Sequence, residues 1–154
     1  MKRILGWSAL ILIFDQITKF WIVEVMDLRL HKEIDVLPPF INFRMAWNEG
    51  INFGLFSEWD MRWVLIGVAL AITVWVLWWG RHFTGWFGTL LVALIVGGAI
   101  GNTIDRLRYG AVADFLNMSC CGYENPYSFN VADIAIFVGA IGLVLFSERL
   151  SRKA

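Results

Sequence analysis

Histidine is nearly missing from this 154-residue chain, which has only His31 and His82. Two isolated histidines exclude a zinc peptidase of the H-E-x-x-H kind and a His-based nucleophilic triad, and no G-x-S-x-G run offers a serine elbow. Cysteine is as scarce. Cys120 and Cys121 are adjacent, a spacing that suits neither an ordinary disulfide nor a zinc site with separated ligands, so they read as small structural residues. An excess of one charge is also lacking: thirteen basic residues balance thirteen acidic ones. With no nucleic-acid-binding motif present either, nucleic acid drops out as a partner. No internal repeat or low-complexity tract appears.

What the chain has in abundance is apolar surface. Hydrophobic residues make up 58% of it and the mean hydropathy is +0.64, too apolar for an ordinary soluble domain. Four stretches are long enough to cross about 30 Å of hydrocarbon: residues 4–23, 63–79, 86–104 and 129–146. The fold class expected is therefore an all-α membrane protein of four transmembrane helices, one domain over residues 1–154, with outer connections at 24–62 and 105–128. The N-terminal "MKRILGWSALILIF" has the look of a secretory signal, but Asp15 interrupts its core and no A-x-A-like site follows, so it reads as a retained first helix. Spans two and three are joined tightly around "GRHFTG". Four spans put both termini and that turn on one side. Lys and Arg count equally on the two sides, but those at the termini and the turn are packed into short segments, which points to cytoplasmic termini.

The outer connections carry local signals. "SEWD" before the second span has the Ser57 and Asp60 spacing of a capping box. In "INFRMAWNEGINFGLF", Ile41, Phe43, Met45 and Trp47 share one parity, and Ile51, Phe53 and Leu55 resume it after a turn at Glu49-Gly50. That predicts a small extracytoplasmic β-hairpin, a cradle lying against the membrane or the bundle.

The remaining signal is polar residues in apolar company. Gly97 and Gly101 have the small-xxx-small spacing that lets helices approach closely. Asn102 and Asp105 follow on one helical face, then Arg106, then Asp114, and Asn130 and Asp133 repeat the three-residue spacing at the start of the last span. Each has an ordinary structural reading: Asp15 paired with Lys19, Asp105 paired with Arg106 or Arg108, Asn130 as a helix cap. Asp133 has the weakest one, since no cation is near it in sequence and a charge in hydrocarbon costs roughly 2.5–3.5 kcal/mol at the bilayer centre. The topology brings Asp15, Asn102, Asp105, Asp114, Asn130 and Asp133 toward the outer end of the bundle. Such a carboxylate cluster supports three chemistries: a proton-sharing peptidase pair, a divalent-metal site for phosphoryl transfer, or a proton relay in a small carrier or channel subunit. Spacing alone leaves all three open.

Five pieces in order decide among them: "DQITK" in the first span, "NEGINFGLF" in the first outer connection, "GNTIDR" and "GAVADF" after the third span, and "FNVADIAI" opening the fourth. Together they resemble lipoprotein signal peptidase, the bacterial signal peptidase II family, over essentially the whole chain. The resemblance implies an intramembrane aspartyl endopeptidase of the bacterial inner membrane that removes the signal peptide of prolipoproteins before a diacylglyceryl-modified cysteine. It implies Asp114 and Asp133 as the catalytic dyad, and Asp15, Asn48, Gly50, Asn102, Asp105, Arg106 and Asn130 as supporting or substrate-binding residues. Neither a metal nor a cofactor is implied. The implied partners are lipidated precursor and membrane lipid, with the active site toward the outer face.

Overall fold

The computed structural model describes residues 1–50, 61–83 and 85–151, with side chains as far as Phe146. Helix α1 (Lys2–Lys19) continues as a π-helical segment, Phe20–Val25, into the short helix α2 (Leu28–His31). Strands β1 (Glu33–Leu37) and β2 (Ile41–Asn48) follow, then helices α3 (Met61–Gly80) and α4 (Trp86–Tyr109), strand β3 (Val112–Met118) and helix α5 (Val131–Ser151).

Helix α4 is the axis: α1, α3 and α5 each pack on it, and α1 also meets α5. Glycines and small residues make the contacts close, as the Gly97 and Gly101 spacing predicts. A Cβ at Gly97 would stand 2.8 Å from the Ser8 carbonyl oxygen of α1, and one at Gly101 2.5 Å from the Asp15 carboxylate. Gly98, on the other flank, meets the Ala132 carbonyl oxygen of α5. Between the helices lies a core of Ile4, Val76, Phe83, Leu91, Val92, Val96 and Leu143. The outward faces are apolar too, with Leu10, Ile17, Val74, Trp75 and Val144 all exposed. Exposed apolar surface on this scale marks a body with apolar surroundings. Of the four expected spans, length and composition alone single out two among the described residues, α3 and α4, and Val131–Phe146 is a shorter apolar stretch.

The sheet is antiparallel, in the order β1-β2-β3. It packs on a second small core of Ile22, Val23, Leu28, Ala113 and Phe115, shared with the π-helical segment and α2. The outer connection does form antiparallel strands, but among the described residues the partners of β2 do not lie across Glu49-Gly50. Strand β2 turns instead at Pro38-Pro39 to pair with β1 before it, and takes β3 from far along the chain as its other neighbour. Residues 51–60, which hold the expected second arm and the Ser57–Asp60 capping box, lie outside the described residues. The parity read along β2 is also broken. Phe43 faces Leu116 and Ala46 faces Asp114, so one extra residue on β2 forms a bulge.

Helix boundaries move for local reasons. Helix α4 runs on to Tyr109 rather than ending at 104, and stops at Gly110, whose left-handed φ of 84° suits a glycine C-cap. Asp105 and Arg106 are thus helical rather than the start of a loop. Helix α5 begins at Val131 rather than 129 because Asn130 caps it.

The close crossing of α4 and α5 yields a prediction. Gly98→Ala pushes a methyl against the Ala132 backbone and should destabilise the folded protein by about 1–3 kcal/mol. Gly67→Ala on α3 meets nothing within 4 Å and should be neutral or slightly stabilising. Thermal melts in detergent distinguish the two, and equal losses at both positions would contradict the crossing.

Candidate active site

The polar residues converge where α1, α4, β3 and the start of α5 meet. At the bottom of the cluster is Lys19, only 2% exposed. Its ammonium lies 2.9 Å from Asp15 Oδ2 and 2.6 Å from Asp105 Oδ2, and donates to Asn102 Oδ1 at 3.2 Å. The expected local pairing of Asp15 with Lys19 is present. Asp105, in contrast, takes Lys19 rather than Arg106 or Arg108 as its cation, because α1 is packed close enough on α4 to deliver the ammonium. Both carboxylates also accept from backbone: Asp15 Oδ1 from Ala132 N at 2.9 Å, in the first turn of α5, and Asp105 Oδ2 from Ala113 N at 3.2 Å, in β3. Gln16 completes this layer by donating to both, at 3.1 Å each.

Above it stand two asparagines whose amide orientations are set by their neighbours. Asn102 spends its oxygen on Lys19, which leaves its Nδ2 to donate to Asp133 Oδ1 at 2.8 Å. Asn130 spends its oxygen on the backbone N–H of Asp133 at 2.9 Å, while Asp133 Oδ2 accepts from Asn130 N at 3.2 Å. That reciprocal pair is a capping box with aspartate in the usual glutamate place, and it fixes Asp133 in the first turn of α5. The Asn130 Nδ2 is then free to donate to Asp114 Oδ1 at 2.6 Å.

Asp114 is held from its other side by Asn48, whose Nδ2 donates to Oδ2 at 3.1 Å. The β2 bulge makes this contact possible. With Ala46 opposite Asp114, Asn48 is the diagonal neighbour on the same face; without the extra residue, Trp47 would take that place. Gly50, at φ 108°, lets its N–H turn back to Asn48 Oδ1 at 3.1 Å, and a Cβ there would strike Leu65. Only a residue tolerant of the left-handed region fits this turn without strain.

The arrangement therefore collects Asp15, Asn48, Asn102, Asp105, Asp114, Asn130 and Asp133 into one hydrogen-bonded cluster, with Gly50 behind Asn48. Arg106 is at its edge, half-buried. Its Nη1 reaches the Asn102 carbonyl at 3.4 Å, its Nε is buried without a hydrogen-bond partner, and its charge acts on Asp105, Asp114 and Asp133. Sequence reasoning missed Gln16, and it saw Lys19 only as a local partner of Asp15. A lone lysine inside an apolar run with several carboxylates to neutralise was the available signal.

Asp114 is 3% exposed and its carboxyl is pushed up to about 7, chiefly by burial and then by the negative charge of Asp133, against the hydrogen bonds from Asn48 and Asn130. Burial and a neighbouring negative charge both favour the protonated form of such a carboxyl. Asp133 is less covered. It opens on a cavity of about 330 Å³ whose other walls are Phe129, Ile134 and Phe137. One proton-holding acid, one neighbouring carboxylate and an apolar approach can activate water against a carbonyl. Asp15 and Asp105, closed on Lys19, are not placed for that.

The chain matches the signal peptidase (SPase) II family over residues 7–149. It is 43% identical over 141 residues to the lipoprotein signal peptidase of Methylobacterium radiotolerans, covering 90% of this chain and 81% of that one. With that of Methylorubrum extorquens the identity is 40% over 145 residues, 93% and 84% of the two chains. A solved bacterial membrane enzyme, determined by the in meso method at 1.9 Å resolution, superposes with a TM-score of 0.80 at 26% identity, covering 94% of this chain and 92% of that one.

The buried acid gives the site a pH signature. Because the folded state holds the Asp114 proton above the ordinary carboxylate range, it binds more protons than the unfolded chain between the two pKa values, so stability falls as pH rises toward about 7. Asp114→Asn removes that loss. The variant should melt above the wild type at about pH 8, with the gap closing toward about pH 5. A gap that widens on acidification would contradict the assignment.

Proposed function

We infer what this site does from what the chain is: it belongs to the signal peptidase II family, and it is a membrane peptidase that removes the signal peptide from prolipoproteins. Our reading of the chemistry is that Asp114 and Asp133 are the catalytic pair. The single observation that carries it is that each carboxylate is oriented by its own asparagine amide and Asp133 opens on an apolar cavity, while every other buried carboxylate of the cluster is closed on Lys19.

In this reading the pair holds one proton, drawn to the more buried Asp114. Asp133 takes a proton from a water that attacks the scissile carbonyl, and the Asp114 hydroxyl hydrogen-bonds the carbonyl oxygen as charge develops there. The proton gained by Asp133 then goes to the leaving amine. Asn102 and Asn130 hold the carboxylates through both steps, and Asn48 holds Asp114 from the sheet. Arg106 stands beside the pair as a cation for substrate carbonyl groups, which fits a buried Nε with no partner of its own.

The same reading gives the setting. Helices α1, α3, α4 and α5 span the bacterial inner membrane as one domain, with both termini in the cytoplasm and the sheet and catalytic pair at the outer face. The substrate is a precursor whose cysteine carries a diacylglyceryl group. It enters from the bilayer, its acyl chains remain in apolar surroundings, and Phe129, Ile134 and Phe137 line the approach to Asp133. The extracytoplasmic part of the precursor lies on the sheet. The pair works by acid–base exchange without a metal or cofactor.

Two treatments of one assay test this. Purified protein is given the same precursor with and without its diacylglyceryl group. Sheltering even about four methylenes at about 0.8 kcal/mol each corresponds to roughly two orders of magnitude in kcat/KM, so the unlipidated form should be cut at least that much more slowly. EDTA should leave the rate on the lipidated form unchanged. Equal cutting of the two forms overturns the lipid requirement, and loss of activity on chelation with recovery on adding a divalent ion overturns the metal-free pair.

A further inference from the structure

The connection between the two aspartates holds a feature that the reaction does not use. After β3 the chain makes a two-residue turn in which Cys120 and Tyr123 exchange backbone hydrogen bonds, Tyr123 N to Cys120 O at 2.9 Å and Cys120 N to Tyr123 O at 3.3 Å. The central residues are Cys121 and Gly122, with φ of 58° and 80°. Positive φ at both central positions is the pattern of a type I′ turn, whose first central place ordinarily goes to Asn, Asp or Gly. Cysteine there is an outlier, and an outlier of this kind calls for a functional account.

Its consequence is geometric. In extended chain, adjacent side chains point to opposite sides. The left-handed Cys121 brings them to one side instead, so that the Cys120 and Cys121 sulfurs stand 2.7 Å apart, both exposed. Residues read from the sequence as small structural ones are thus free thiols at the surface. Around them the loop is pinned: Asn117 Nδ2 donates to the Asn125 and Tyr127 carbonyls at 2.8 and 2.9 Å, and the Asn125 N–H donates to Ser119 Oγ at 3.1 Å. The two thiols are thus presented together by a turn that its neighbours hold in place.

We propose that Cys120 and Cys121 form a reversible thiol–disulfide site, a vicinal dithiol on the surface that closes to an eight-membered disulfide ring when it meets a small-molecule disulfide. A thiolate of the pair attacks the small disulfide, forming a mixed disulfide and releasing one small thiol. The neighbouring thiolate then attacks the protein sulfur of that mixed disulfide, forming the Cys120–Cys121 bond and expelling the second small thiol. Two protein thiols are oxidised by two electrons, and one small disulfide is reduced to two thiols. Adjacent Cα atoms stand about 3.8 Å apart, closer than in ordinary disulfides, so the ring is strained and readily reduced again. Placing the turn on the oxidising side of the membrane rests on the topology proposed above. The chemistry of the pair does not.

The experiment reads mass rather than cleavage, so it stands or falls apart from the peptidase mechanism. Purified full-length protein, fully reduced, is exposed to oxidised glutathione, then alkylated with N-ethylmaleimide and weighed intact. The wild type should lose the mass of two hydrogens, take up no maleimide, and regain two alkylatable thiols after dithiothreitol. Cys120→Ser and Cys121→Ser should each keep a glutathione adduct, because neither has a neighbour to displace it. Wild-type protein carrying two glutathiones, two maleimides or an intermolecular bridge would overturn the proposal, as would single variants whose remaining thiol reacts with neither reagent.

Discussion

A buried ammonium between two buried carboxylates is the constraint on which the rest of the structure depends. Lys19, Asp15 and Asp105 are each at most 2% exposed. None tolerates that burial alone, and stripping one partner from such a group costs about 3–5 kcal/mol. The triad therefore forces α1 against α4 at one height. Through Ala132 N on Asp15 and Ala113 N on Asp105, it also sets where α5 begins and where β3 departs. The glycines of α4 serve the same end, since any side chain at Gly101 would meet the Asp15 carboxylate.

Orientation then passes upward from that charge. Asn102 is turned by Lys19 and so donates to Asp133; Asn130 is turned by the helix N-terminus and so donates to Asp114. Each carboxylate of the proposed pair receives a directed N–H from an asparagine whose amide oxygen is already engaged. Fixed dipoles of this kind need no rearrangement as charge develops during reaction. The π-helical segment that starts directly after Lys19 contributes from below, carrying Ile22 and Val23 under the sheet that presents Asp114. Local departures from regular geometry are common near functional sites, and here both the π-helical segment and the β2 bulge have an identifiable task.

How much of this is legible in the sequence follows from what kind of interaction fixes each part. The bodies of the helices were legible because apolar length is a local property, and the Gly97–Gly101 spacing correctly marked a close crossing. Helix ends were less so: the Asn130 cap and the Gly110 stop are settled by hydrogen bonds that composition does not reveal. Strand β3 was invisible, since "VADFLNM" becomes a strand only by pairing with β2 from far away, and the bulge that selects Asn48 over Trp47 exists only in that pairing. The gathering of carboxylates was legible from topology. Their division into a neutralised pair and an available pair was not, because Lys19 reaches Asp105 across a helix interface.

That division is the central claim, and cleavage of a lipidated precursor by Asp114→Asn, Asp133→Asn and the double variant tests it most directly, with thermal stability recorded for each. Asparagine keeps the size and much of the hydrogen bonding but exchanges no proton. The account predicts that either single change abolishes turnover in protein that still folds, and that the double variant is scarcely worse than either, as residues acting as a unit require. An Asp133→Asn variant that cleaves at near the wild-type rate, or single losses that simply add in the double variant, would contradict it.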